Sequence, residues 1–130
     1  MEKKKEFTFR GMTIEELKKL EVREFAKFVP SRQRRTILRN FQKIEEFVSR
    51  SKTKMERGKK IKTHYRDIVI VPAMVGMNIQ VYKGNGFTPF EITGEMLGHK
   101  LGEFSPTRTK IKHGSAGVGS TKGSKHKSKK

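Results

Sequence analysis

Residues 98–109 read GHKLGEFSPTRT, and this stretch decides how the chain is built. Gly98, Gly102 and Pro106 punctuate it, and between them stand two apolar side chains, Leu101 and Phe104. Gly98 can take a positive φ and end a short helix. Leu101 and Phe104 can then tuck onto a core while His99, Lys100 and Arg108 face outward. Beyond this stretch the chain is basic and rich in Gly and Ser. The stretch therefore marks the seam between a folded body and a basic arm.

Working outward, the charge is distributed unevenly. The 130 residues carry a net charge of +18. Residues 1–60 hold 19 Lys/Arg against 9 acids, residues 61–104 hold 4 of each, and residues 105–130 hold 8 and none. A neutral body flanked by two basic segments implies a polyanionic partner, nucleic acid before membrane. Leu, Ile, Val and Phe make up about a quarter of the chain, above the roughly 20% that signals wholesale disorder. The length suits one domain with tails: a helical extension over 1–40, a core over 41–104 and a Gly/Ser/Lys-rich tail over 105–130. There is no cysteine, so disulfides and Cys-based zinc sites are excluded. No apolar run approaches the roughly 18 residues of a membrane span, and no signal peptide is visible.

The patterning predicts an α+β fold: a small sheet of about three strands with a β-hairpin, packed with helices, a helical N-terminal extension and a disordered basic C-terminal tail. Residues 1–12 read as an extended leader. Thr13 to Glu16 form a capping box that opens a helix. Val22, Phe25, Ala26 and Val29 keep helical spacing up to Pro30. Ser31 can cap the next helix, and Ile37, Phe41, Ile44 and Val48 continue the period as one long helix or two broken near Asn40. Residues 68–71 form an apolar, β-branched run that reads as a buried strand. Ile79 and Val81 alternate with Gln80 and Tyr82 in a second, and residues 84–86, Gly-Asn-Gly, are a hairpin turn. Residues 87–92 return as the partner strand, at an edge because Pro89 gives the ladder no donor. Thr93 opens a last short helix that Gly98 ends.

No catalytic constellation emerges. The four histidines, His64, His99, His113 and His126, lack partners at metal-motif spacing, and the few acids of the body are scattered. No metal, cofactor or enzymatic activity is expected. Glu103 is placed to link with Lys100. The sharpest charge feature is Arg32, Arg34, Arg35 and Arg39, with no acid from residue 26 to residue 43. A solvated helix face normally intersperses acids, so phosphate contact is favoured about three to one. Arginine also suits bidentate phosphate binding. Tyr65, between His64 and Arg66, can stack on a base or cover a core edge with equal ease. On composition alone the C-terminal tail could equally be a nuclear signal or a DNA arm, and the whole chain a nucleic-acid chaperone.

GHKLGEFSPTRT, together with IKTHYRD at 61–67 and IVPAMVG at 70–76, resembles the universal small-subunit ribosomal protein family numbered nineteen. The added N-terminal region is similar to its longer archaeal and eukaryotic branch. The resemblance implies a non-catalytic, cytoplasmic ribosomal component that supports translation by scaffolding. It would bind small-subunit ribosomal RNA and a neighbouring head protein of family thirteen. It would lie near a bridge to the large subunit, with its tail close to the decoding region and tRNA, and would not be a homo-oligomer. RNA contact carries over to Lys62, Thr63, His64, Arg66, His99, Lys100, Thr107, Arg108 and Lys110, with Lys112 and His113 continuing into the tail.

Overall fold

The computed structural model describes residues 6–110. Residues 8–13 are a small hairpin rather than an extended leader: β1 (Thr8–Phe9) pairs antiparallel with β2 (Met12–Thr13), and Arg10 and Gly11 both take positive φ at its turn. Phe9 packs on Phe25 with ring centroids 5.9 Å apart, which holds the hairpin on the core. Thr13 then caps α1 (Ile14–Lys18), with the Glu16 side chain accepting from the Thr13 backbone N–H at 2.9 Å. The capping box is as the sequence predicts, but the helix is only five residues long.

A second short helix, α2 (Val22–Phe25), continues as a 3-10 turn (Ala26–Phe28) up to Pro30. Pro30, not Ser31, occupies the cap of α3 (Ser31–Arg39), and no side chain bonds the helix end. Ser31 is already the first helical residue, because Pro30 supplies the extended backbone a cap requires. The break at Asn40 separates α3 from α4 (Phe41–Glu56), giving two helices rather than one. Helix α4 closes in a Schellman arrangement: Gly58 N–H donates to Met55 O and Lys59 N–H to Lys54 O.

The sheet has three strands in the order β3–β4–β5. Strand β3 (Ile61–Thr63) runs parallel to β4 (Asn78–Tyr82), which pairs antiparallel with β5 (Phe87–Glu91) across the Gly84–Gly86 turn. Pro89 lies on the edge strand, opposite Gln80. The predicted strand at 68–71 is corrected. Its residues are buried, but they lie outside the sheet, inside the long crossover a parallel pair requires. They pair instead with residues 98–101: Ile70 N–H donates to His99 O, Gly98 N–H to Ile70 O and Leu101 N–H to Ile68 O. The apolar run announced burial, not its partner. The true third strand, three residues long, is too short to show a pattern.

One apolar cluster holds the body together. Leu17, Phe25, Val29 and Ile37 from the N-terminal region meet Ile44, Ile70, Met74, Ile79, Val81 and Leu101, all at most 2% exposed. Met74 and Met77 fill this core. Gly98 (φ +81°) turns the chain after the 3-10 turn Gly94–Met96, and Leu101 drops into the core at the next, Leu101–Phe104. Among the described residues no helix is long and apolar enough to cross a membrane.

Candidate RNA-binding surface

The arginine cluster on α3 divides in two. Arg34 turns back onto the end of the preceding turn. Its Nε donates to Ala26 O at 3.1 Å, and Nη2 donates to Lys27 O at 3.2 Å and Val29 O at 3.5 Å. These carbonyls lie where a helix end leaves acceptors unmatched, so Arg34 acts as a cap. Arg32, Arg35 and Arg39 are exposed, and among the described residues none of them has an acidic partner.

Arg66 is likewise occupied by the fold. It is half-buried, and its guanidinium donates to Tyr82 O, Gly102 O (2.9 Å) and Ser105 O (2.7 Å). It thereby ties the exit of β3 to the end of β4 and to the last 3-10 turn. Ser105, fully buried, adds a bond from its hydroxyl to Val81 O at 3.2 Å. Gly102 permits the approach: a Cβ there would sit 3.0 Å from both the Cβ and the carbonyl O of Arg66. The seam read from residues 98–109 is thus clamped from inside.

Beside it, β3 exposes Lys62 and buries Thr63, whose hydroxyl accepts the Tyr65 N–H at 3.0 Å. His64 is exposed at one end of an aromatic group. Its ring centroid lies 4.5 Å from Tyr82 and 5.3 Å from Phe87, and Lys62 Nζ lies 5.3 Å from the Phe87 ring centre. Tyr65 is 45% exposed, so it does not serve as a core cover. Lys43 Nζ sits 4.4 Å over its ring and also contacts Asp67 at 3.0 Å. That hydrogen bond from Lys43 holds the Asp67 carboxyl below its ordinary value, against a smaller opposing effect of burial.

In the 98–109 stretch, His99 is exposed and pairs through Nδ1 with Glu103 at 2.7 Å. Glu103 therefore links to His99, one turn back, rather than to the Lys100 ammonium. From Lys100 it accepts only the backbone N–H, at 3.4 Å. Lys100 is half-buried, and Thr107, Arg108 and Lys110 are exposed. Lys112, His113 and most of the basic tail lie outside the described residues. Among the described residues no three metal-type ligands lie together.

Sequence reasoning missed one cluster. Arg50, Lys54, Lys62, His64 and Tyr65 line a single groove of about 300 Å³, floored by Phe47, Ser51, Ile61 and Thr63. Arg50 and Lys54 stand one helical turn apart on α4, a spacing visible in the sequence. What was not visible is that β3 brings Lys62 and Tyr65 to the same helix face.

A family model described as ribosomal protein S19 matches residues 32–113. The chain is 47% identical over 128 residues to the small ribosomal subunit protein uS19 of Methanocella arvoryzae, covering 95% of this chain and 87% of that protein. It is 43% identical over 124 residues to the protein of the same name from Methanococcoides burtonii, covering 95% and 88%. Such proteins are structural components of the small subunit in the cytoplasmic ribosome, not enzymes. On its sequence, this chain belongs to the ribosomal protein S19 family.

Proposed function

We propose that this chain binds small-subunit ribosomal RNA directly and scaffolds the subunit head, with its basic segments placed against phosphates where RNA helices converge. The observation that carries the reading is α3. Of four exposed arginines within nine residues of helix, Arg32, Arg35 and Arg39 are not engaged by backbone carbonyls as Arg34 is, and no acid stands from residue 26 to residue 43. Their mutual repulsion is relieved by a polyanion, and neutralised phosphates release counterions to bulk solvent. Lys62, His64, His99, Lys100, Thr107, Arg108 and Lys110 extend the contact around the body, and Lys112 and His113 into the tail. Thr63, being buried, contributes by orienting the backbone at Tyr65. Arg34 and Arg66 act as positioning residues whose donors hold the backbone that presents the others.

The partner protein is a small-subunit head protein of family thirteen. The tail reaches toward the decoding region and its tRNAs, beside a bridge to the large subunit. These placements rest on the family resemblance. Co-sedimentation of a tagged copy with ribosomal particles across a salt series tests the reading. Retention on small subunits at salt that strips non-specific basic proteins supports it. Even loss from all RNA at modest salt overturns it in favour of a general nucleic-acid chaperone.

A further inference from the structure

The groove between α4 and β3 combines features that the exposed arginines of α3 lack. It is concave, it carries three cationic side chains, and it exposes two rings. Arg50, Lys54 and Lys62 stand around it, with His64 and Tyr65 at one side. Among the described residues, the concavity beside Phe9 sets two rings, Phe9 and His99, with a single Lys or Arg, Arg10. The one beside Met55 offers Lys59 and Lys60 but no ring, and the one beside Phe7 sets its ring between Glu6 and Glu15. We infer that this groove is a single-nucleotide subsite: one unpaired RNA base stacks on Tyr65, while its flanking phosphates are held by Arg50, Lys54 and Lys62.

Tyr65 is 45% exposed although its backbone is fixed by the bond to Thr63. Lys43 Nζ lies over the ring at 4.4 Å, which fixes it from one side and leaves stacking to the other. An exposed, rigidly mounted aromatic is the platform that single-stranded recognition uses, and it accepts any base because every base has a π-face. A groove of about 300 Å³ is on the scale of one nucleotide. Charge agrees. The described acid nearest the groove's cations is Glu46, which meets Arg50 at 3.4 Å with both side chains about 70% exposed. Such a pair is weak and yields readily to a phosphate. Ser51 and Thr63, both buried on the floor, keep the groove polar at its base.

The inference rests on the RNA-binding reading, and its test separates the two. The probe is a short single-stranded oligoribonucleotide with a central 2-aminopurine, titrated into the full chain at fixed salt. Native protein and Tyr65→Phe quench the probe on binding. Tyr65→Ala and Tyr65→Leu, verified as folded by circular dichroism, lose the quench and bind about 5- to 150-fold more weakly. Their salt slope is unchanged, because no charge is removed. Arg50→Gln with Lys54→Gln does the reverse, keeping quench at saturation while flattening the salt slope by one to two charge units. Equal quenching and equal affinity in Tyr65→Ala would overturn the subsite, even with small-subunit RNA still bound. Loss of all preference for small-subunit RNA by the native chain would instead overturn the reading it rests on.

Discussion

Replacing Arg66 separates a clamp from an RNA ligand. In Arg66→Ala three backbone carbonyls, Tyr82 O, Gly102 O and Ser105 O, lose their donor together. Hydrogen bonds from a charged donor contribute about 1.5–3 kcal/mol each. The site is half-buried, so water recovers part of this, and about 1 kcal/mol per bond is the appropriate scale. The expected loss is therefore about 3 kcal/mol, or roughly 12 °C at about 4 °C per kcal/mol for a domain of this size. Arg66→Lys keeps the charge but cannot fork to three acceptors, and should lose about 2 kcal/mol. Urea unfolding followed by far-ultraviolet circular dichroism reads this directly. With a slope of about 1.5 kcal/mol per molar, the midpoint of Arg66→Ala should fall by about 2 M with the slope preserved. A midpoint within about 0.3 M of the native chain, with rRNA affinity nevertheless reduced, would refute the clamp and return Arg66 to the phosphate contacts.

Other consequences are smaller in scope. Gly102→Ala places a Cβ 3.0 Å from the Cβ and carbonyl of Arg66, and should lower the urea midpoint by an amount worth about 1–3 kcal/mol; a midpoint equal to that of the native chain would count against the close approach. Phe25→Ala, fully buried in the N-terminal region, should cost about 3–5 kcal/mol in a single cooperative transition; a separate early transition would mean the extension folds apart from the body. Asp67 has a folded pKa below its unfolded one, so its bond to Lys43 stabilises above the unfolded value and is lost as pH falls through the folded one. The pair is exposed enough to contribute under about 1 kcal/mol. The stability gap between native chain and Asp67→Asn should thus shrink toward zero as pH drops from about 5 to below the folded value, and a gap that grows with acid would contradict the assignment.

Local chemistry was legible in the sequence. The Thr13–Glu16 box, the stop at Pro30, the Gly84–Gly86 turn and the edge place of Pro89 each follow from a residue and its immediate neighbours, whereas the sequence left open whether one helix or two pass Asn40. What the sequence hid depends on distant partners. Residues 68–71 read as a strand and 61–63 did not, because burial and sheet pairing are different properties, and only the first leaves an apolar run. Arg34 and Arg66 look like their neighbours Arg35 and Lys62 until the carbonyls around them are known. Gly102 reads as punctuation but is required by the approach of Arg66 from 36 positions upstream. The groove of Arg50, Lys54, Lys62 and Tyr65 escaped notice for the same reason, since helix and strand contribute to it in parts.

The central claim is that exposed cations on this fold, rather than cations in general, hold small-subunit rRNA. The most direct measurement is the slope of log affinity against log salt for that RNA, comparing the native chain with Arg32→Gln/Arg35→Gln/Arg39→Gln. With roughly 0.7–0.9 units per phosphate contact, the triple variant should lose about 2–3 units of slope. It should unfold at the native urea midpoint, whereas Arg34→Gln should shift the midpoint and leave the slope nearly intact. An unchanged slope in the triple variant would mean that α3 faces solvent or protein on the subunit, and the proposed RNA surface would have to be drawn elsewhere.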